Sequence, residues 1–189
     1  AMRYALSFNP VKPDRKTPLW MPPGGGAFLR DLGRALDIGD DGTAFFSTVF
    51  DIAEFDPAQS ITIADATITF APTVHYLPCW AMRVTTPGTD GDLFYSADTG
   101  PAADLAGLAY GCMVAVVEST FIDPTKEPFE SRGHLTATEA GELAERAGAQ
   151  TLVLTHLCEE FGFDNYRTRA AEVFEGTIEL AHPGLTVTW

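Results

Sequence analysis

Residues 93 to 101 read Leu93-Phe94-Tyr95-Ser96-Ala97-Asp98-Thr99-Gly100-Pro101, an apolar strand that runs directly into an Asp-Thr-Gly turn. Gly100 suits a tight turn, and Pro101 suits the first turn of a helix, which the sequence predicts over Ala102 to Tyr110. Asp98 is therefore predicted at the tip of a strand and beside a helix N-terminus, where free backbone donors attract anions. On its own, Asp98 is explained equally well as a helix cap.

Polar side chains also follow the next two predicted strands. Met113 to Val117 runs into Glu118-Ser119-Thr120, and Thr151 to Leu154 runs into Thr155-His156. Because α/β sheets keep their ligand sites at the carboxyl ends of buried strands, these ends are expected to meet at one edge. The repeated pattern favours a functional site that contains Asp98, Glu118 and His156.

Two further histidines extend this set of metal-type ligands. His75 follows a strand predicted over Thr67 to Phe70, and His134 lies two residues before a capping box, Thr136-Ala137-Thr138-Glu139, which opens a helix predicted to end at Ala147. Two imidazoles and a carboxylate are suitable zinc ligands, although such residues also occur in a chain by chance. Taken alone, His75 fits a buried core histidine better than a ligand.

The composition predicts a single domain over residues 1–189. Of the 189 residues, 46% are hydrophobic, which is enough to form a sizeable core. The formal charge of -14, from 12 basic and 26 acidic residues, disfavours polyanions, so nucleic acid is not an expected partner. The sequence has no apolar run of membrane length and no C-x-x-C pair, which favours a cytoplasmic protein with reduced thiols. Cys158, near His156, is expected to be a buried thiol rather than a ligand.

The remaining pattern predicts an antiparallel or mixed meander, followed by alternating strands and helices. Before Asp98 we expect a helix from Ala27 to Leu36 and strands at Leu19 to Met21, Phe45 to Phe50, Ser60 to Ile63, Thr67 to Phe70 and Trp80 to Thr85. Near the chain end we expect a helix at Tyr166 to Glu175 and strands at Thr177 to Leu180 and Leu185 to Trp189.

Residues 12–16 are predicted to form a polar loop. The glycine run Pro22 to Gly26 lacks the Lys-Ser/Thr end of a P-loop, so a tight connector is favoured over a phosphate cradle.

The order of these motifs resembles the metallo-β-lactamase fold, and within it the branch that contains ribonuclease Z and related phosphodiesterases. The resemblance covers about the last two-thirds of the chain and rests on four stretches. Tyr95 to Gly100 is similar to the branch's S-G-D-T-G motif, and Glu118-Ser119-Thr120-Phe121 is similar to its H-E-A-T-F motif. His134-Leu135-Thr136 is similar to its H-S-T or H-L-T motif, and Leu154-Thr155-His156-Leu157 is similar to its L-T-H-F/L motif. The resemblance implies an α+β fold, a four-layer αββα sandwich.

The resemblance also implies roles for the candidate residues. Asp98 would bridge two zinc ions, and His75 and His156 would each complete the shell of one ion. His134 would be the general acid, steadied by Glu118, and a zinc-bound hydroxide would attack the substrate. The implied protein is a binuclear zinc hydrolase of a small phosphodiester or related ester. By analogy with the branch, it is expected to form a homodimer.

Three departures limit the resemblance. The H-x-H-x-D-H motif, which supplies four ligands in the family, is absent from this sequence, and Ala1 to Leu6 reads as the tail of a helix without a cap. We therefore expect that the N-terminal strands and the ligand loop are missing and that this chain alone is inactive. Val117 replaces the histidine of H-E-A-T, which puts a supporting hydrogen bond in doubt. Only the short loop Pro87 to Asp92 stands where short bacterial ribonuclease Z carries its tRNA-clamping arm.

Two alternative functions remain open. The chain could be a metal-free binding module of the same fold, which would hold no zinc even in a protein that includes the missing motif. It could also be a ribonuclease Z-type RNA endonuclease, which the acidic charge and the short loop argue against. The sequence leaves the substrate, the native metal and the oligomeric state undecided.

Overall fold

The computed structural model describes residues 2–8, 15–36 and 44–189. These residues form two compact units, Ala1–Asp56 and Pro57–Trp189. Among the described residues, no helix combines the length and the apolar character needed to cross a membrane. The loop predicted at 12–16 lies mostly outside the described residues.

The first unit contains a small parallel sheet and three helices. In chain order its elements are α1 (Met2–Phe8), β1 (Thr17–Met21), α2 (Gly25–Leu36), α3 (Ala44–Ser47) and β2 (Phe50–Glu54), and β1 pairs with β2. The strand predicted over Phe45 to Phe50 is wrong, because its first residues form α3. There the Phe45 ring packs edge-to-face on Tyr4, with centroids 5.9 Å apart, and lies under the Arg3 guanidinium. These tertiary contacts outweigh the strand propensity of the aromatic pair at 45 and 46.

The second unit is built on a seven-stranded mixed sheet. Its strands are β3 (Ile61–Ile63), β4 (Ala66–Pro72), β5 (Trp80–Thr85), β6 (Leu93–Tyr95), β7 (Val114–Glu118), β8 (Thr151–Thr155) and β9 (Thr177–Leu180). They lie in the sheet in sequence order. Neighbours from β3 to β6 pair antiparallel, and neighbours from β6 to β9 pair parallel. The part of the predicted meander from residue 60 to Asp98 is therefore confirmed as antiparallel, and the strands that alternate with helices after Asp98 pair parallel.

Three helices belong to this unit: α4 (Ala106–Ala109), α5 (Ala137–Ala147) and α6 (Phe163–Ala171). The helix predicted from Ala102 is wrong in its first half, because residues 101–105 form turns in which the Leu105 amide bonds the Ala103 carbonyl. The last predicted helix begins three residues earlier than expected, directly after Gly162. Residues 185–189 were expected to form a strand but pair with no strand that the structure describes.

The capping box of α5 is confirmed. Thr136 Oγ1 accepts a hydrogen bond from the Glu139 amide at 3.2 Å, and the Glu139 carboxylate accepts one from the Thr136 amide at 2.8 Å. Gly148, in the left-handed conformation with φ 69°, ends the helix. The small apolar face of α5 packs into the core, whose largest buried members include Phe94, Leu105, Leu152, Leu154 and Tyr166. This packing fixes the connection that leads into α5, where His134 lies.

Candidate metal centre

The sheet directs four of the predicted site residues to one edge. Strand β4 is antiparallel to β5, which is antiparallel to β6, so β4 points the same way as β6, β7 and β8. His75 follows β4, Asp98 follows β6, Glu118 ends β7 and His156 follows β8. Their side chains therefore converge, as expected for the carboxyl ends of parallel strands.

Asp98 lies between two of the histidines. Its Oδ2 is 3.8 Å from His75 Nε2, and its Oδ1 is 3.4 Å from His156 Nδ1. These distances are long for hydrogen bonds. The 3.4 Å distance is close to the separation of about 3.3 Å that two ligand atoms have around a tetrahedral zinc ion with bonds of about 2.0–2.1 Å, and the 3.8 Å distance is longer. Asp98, His75 and His156 are therefore candidate metal ligands.

The tautomer of His75 also fits a metal ligand. Its Nδ1 lies 3.0 Å from the carbonyl oxygen of Gly133, which can only accept a hydrogen bond. Nδ1 therefore carries the proton, and the lone pair of Nε2 faces Asp98. A backbone carbonyl that orients the second ring nitrogen is the usual support for a metal-binding histidine.

His134 and Glu118 form a second, tighter pair. His134 Nδ1 is 2.9 Å from Glu118 Oε1, and the Glu118 side chain is 1% exposed. The same oxygen accepts from the Thr99 amide, while Oε2 accepts from the amide and the hydroxyl of Thr120. Glu118, His134 and His156 have ligand atoms within 4.8 Å of one another. A carboxylate has about four acceptor positions. All of those of Glu118 are used, so Glu118 is better suited to orient His134 than to bind a metal.

Thr120 belongs to this cluster and was not predicted. Its hydroxyl lies 3.1 Å from Glu118 Oε2, 3.2 Å from His134 Nδ1 and 3.0 Å from His156 Nδ1. Since the carboxylate only accepts, the single hydroxyl proton goes to Glu118 and the oxygen is left to accept from an imidazole. A proton on His156 Nδ1 would occupy the lone pair that faces Asp98, so His156 can bind a metal ion through Nδ1 only when it does not donate to Thr120. The signal in the sequence was its place as the last of three polar residues after β7.

Two residues beside the site have unusual backbone conformations. Ala97, which precedes Asp98, has φ 51°, and His156 has φ 57°. Residues other than glycine adopt this left-handed region at a cost of about 1–3 kcal/mol each, and such strain concentrates at functional sites. The surrounding packing therefore holds Asp98 and His156 where the local sequence alone would not place them.

Gly100 brings three segments of the site together. Its amide donates to the Val74 carbonyl at 2.7 Å, and a Cβ at this position would lie 1.5 Å from the Arg132 carbonyl oxygen. The close backbone approach links the segments that carry His75, Asp98 and His134.

Since α4 begins only at Ala106, the expected position of Asp98 beside a helix N-terminus is wrong.

Substituting Gly100→Ala is expected to lower the free energy of unfolding by about 3 kcal/mol, because backbone atoms must move to admit the methyl group. Urea denaturation measures the change. Gly107→Ala is the matched control, since nothing lies within 4 Å of a Cβ at that helical position. The control is expected to be neutral or to stabilise by up to about 1 kcal/mol. Equal stability of the two variants would contradict the proposed close approach.

Tyr166 holds two site loops together. Its side chain is fully buried, and its hydroxyl donates to the Thr120 carbonyl at 3.0 Å while accepting from the Cys158 amide at 3.0 Å. Its hydroxyl fixes the backbone beside Thr120 and the backbone that follows His156.

Tyr166→Phe is expected to cost about 1–3 kcal/mol of unfolding free energy, because the Cys158 amide and the Thr120 carbonyl lose their common partner. Tyr110→Phe, at a site 73% exposed, serves as the control. Its effect should stay within about 0.5 kcal/mol of zero. A Tyr166→Phe protein as stable as the control would show that the hydroxyl does not fix the loops.

The glycine run at the start of α2 is hydrogen-bonded to a carboxylate of the same chain. The amides of Gly24 and Gly26 donate to the two carboxylate oxygens of Glu54 at 3.0 and 2.9 Å. These backbone hydrogen bonds lower the pKa of Glu54 below its usual value. The run therefore serves as a connector anchored by Glu54, and both of these amide donors are occupied.

Comparisons with known proteins agree with this geometry. A family model described as "Beta-lactamase superfamily domain" matches residues 5–157. A protein of Bacillus subtilis named "Probable metallo-hydrolase YhfI" is 34% identical over 132 residues, which cover 69% of this chain and 52% of that protein. Ribonuclease Z of Streptomyces avermitilis is 40% identical over 92 residues, which cover 48% of this chain and 31% of the enzyme.

The chain thus spans about half the length of the first of these curated relatives and about a third of the second. Its structure superposes on the crystal structure of the metallo-β-lactamase fold protein YhfI from Bacillus subtilis with a TM-score of 0.77 and 26% identity, covering 97% of this chain and 69% of that one. The expected α+β fold, a mixed sheet with helices, is confirmed. The chain belongs to the metallo-β-lactamase superfamily, as the motifs around Asp98, Glu118, His134 and His156 predicted.

Proposed function

We propose that the protein is a metal-dependent hydrolase that cleaves a small phosphodiester or a related ester. The observation that carries the proposal is the position of the His134–Glu118 pair beside the Asp98 cluster. The His134 ring lies 4.9 Å from the His75 ring and 5.2 Å from the His156 ring, measured between centroids. An oriented acid group and a set of metal ligands therefore face the same small volume.

The position of Asp98 supports a zinc centre. One carboxylate oxygen faces His75 and the other faces His156, so Asp98, His75 and His156 are the residues that would hold the metal. Zinc held in this way would lower the pKa of a bound water and polarise the oxygens of the substrate. Catalytic zinc sites have three protein ligands, so each of the two ions that the resemblance implies would still lack ligands of the kind that an H-x-H-x-D-H segment provides.

His134 would protonate the leaving oxygen. Its Nδ1 is bound to Glu118, so Nε2, on the other side of the ring, remains free to meet the substrate. The buried carboxylate fixes the ring and stabilises the imidazolium that donates the proton. Glu118 is in turn held by the Thr99 and Thr120 amides, so the pair is oriented before the substrate binds.

RNA is a second candidate substrate, because a relative 40% identical over 92 residues is a ribonuclease Z. The formal charge of -14 opposes it, since a long polyanion is bound mainly through basic side chains. We therefore favour a small substrate with one phosphodiester or ester group.

Hydrolysis of bis(4-nitrophenyl) phosphate by a zinc-loaded protein in which an H-x-H-x-D-H segment precedes this chain tests the proposal, with a tRNA precursor as the competing substrate. Release of 4-nitrophenolate that is lost with a chelator and restored by zinc is the expected result. Cleavage of the tRNA precursor alone would favour ribonuclease Z activity. Absence of cleavage, together with absence of bound zinc, would favour a metal-free binding module.

A further inference from the structure

An open groove lies beside His134 and does not contain the residues of the metal cluster. It has a volume of 530 Å³ and lies between the segment after Thr120 and the 3-10 turn Glu159–Phe161. Phe121, Ile122, Pro124 and Phe161 give it apolar walls. Its volume falls within the range of about 300–1,000 Å³ that is typical of small-molecule sites.

The groove adjoins the proposed acid group through one of its walls. Phe121, one of its walls, packs edge-to-face on His134, with ring centroids 5.9 Å apart. The two sides of the groove are joined by Tyr166, whose hydroxyl bonds the Thr120 carbonyl and the Cys158 amide. A substituent on the oxygen that His134 would protonate would therefore lie beside this groove, whose sides are fixed.

The charge of the groove selects among such substituents. Two carboxylates, Asp123 and Glu160, line it. Asp123 lies 3.2 Å from Arg169, whereas Glu160 has no basic side chain within 4.0 Å among the described residues. A second anionic group on the substrate would therefore be repelled, while an uncharged ring could pack against the phenylalanines.

We propose that this groove is the subsite for the leaving group and that it binds an uncharged aromatic substituent of the phosphodiester. This inference rests on the proposed function, because the groove is assigned to the leaving group through His134. It makes Phe161 and Glu160 residues that determine specificity. Phe161 provides the apolar contact, and Glu160 rejects anionic groups.

Binding of diphenyl phosphate, measured by titration calorimetry on the full zinc-loaded protein, tests the apolar contact without requiring turnover. Phe161→Ala is expected to raise the Kd of diphenyl phosphate about fivefold, the loss typical of one aromatic contact, and to leave the Kd of dimethyl phosphate unchanged. Phe163→Ala is the matched control. Its ring is 47% exposed, against 44% for Phe161, and it lies outside the groove.

The charge is tested with bis(4-carboxyphenyl) phosphate, which should bind more weakly than diphenyl phosphate. Glu160→Gln should reduce the ratio of these two Kd values about threefold, as expected for one exposed charge. Glu159→Gln, outside the groove, should not change the ratio.

The inference is overturned if Phe161→Ala and Phe163→Ala bind diphenyl phosphate equally well, or if the wild-type protein does not bind it at all. If diphenyl phosphate binding depends on Phe161 but bis(4-nitrophenyl) phosphate is never hydrolysed, the groove binds the aromatic substituent as proposed, whereas the hydrolase function and the assignment of the groove to a leaving group both fail. If hydrolysis occurs and is insensitive to Phe161, the hydrolase function stands and the groove assignment fails.

Discussion

Replacing His134 with alanine is expected to lower kcat for bis(4-nitrophenyl) phosphate by about 10²- to 10⁴-fold, the range typical of losing a general acid. The physical reason is the pairing with Glu118 at 2.9 Å, which in the proposed mechanism would leave Nε2 to protonate the leaving oxygen. Steady-state kinetics on zinc-loaded protein measures the loss. The zinc content should not change, because His134 is not assigned as a ligand.

His182→Ala is the control for this variant. His182 is exposed near the chain end and bonds only the neighbouring Pro183 carbonyl among the described contacts, so its loss should leave kcat unchanged. If His134→Ala lost zinc together with activity, His134 would be a ligand rather than an acid. If it retained the full rate, the assignment of the His134–Glu118 pair would be wrong.

Asp98→Asn is expected to weaken zinc binding by about 100-fold or more, since even residues that only orient ligands contribute 10- to 100-fold to metal affinity. Asp98 faces both His75 and His156, so the loss of its charge affects both proposed ion positions. Zinc titration followed by calorimetry gives the two affinities.

Asp90→Asn provides the comparison. Asp90 is an exposed acidic residue of the loop at 87–92, and its substitution removes the same formal charge from the chain as Asp98→Asn does. It should bind zinc as the wild-type protein does. Equal weakening by both substitutions would mean that zinc responds to the overall negative charge and not to the cluster.

The site was predictable where strand ends determine it. Asp98, Glu118 and His156 follow three neighbouring parallel strands, and a common edge for such strands follows from sheet geometry. His75 lies three residues beyond the end of β4 and His134 lies in the connection before α5, so the residues alone gave weak evidence for them and the family resemblance supplied their roles. The structure brings all five together, and their individual roles remain predictions.

Tertiary contacts explain what the sequence did not predict. The approach of Gly100 to the Arg132 carbonyl and the bonds of the Tyr166 hydroxyl join segments more than 30 residues apart. Residues 45 and 46 have the aromatic character of a strand, yet contacts with Arg3 and Tyr4 accompany a helix there. The partners in these contacts are distant in sequence, so no local pattern of residues indicates them.

Zinc content measured by elemental mass spectrometry tests the metal centre most directly. It should be determined for this chain, for a protein in which an H-x-H-x-D-H segment precedes it, and for Asp98→Asn in the longer protein. We expect about two zinc ions in the longer protein, few or none in this chain, and a marked loss on substitution of Asp98. A longer protein that contains no zinc, or one whose zinc is unaffected by Asp98→Asn, would contradict a metal-dependent site at Asp98.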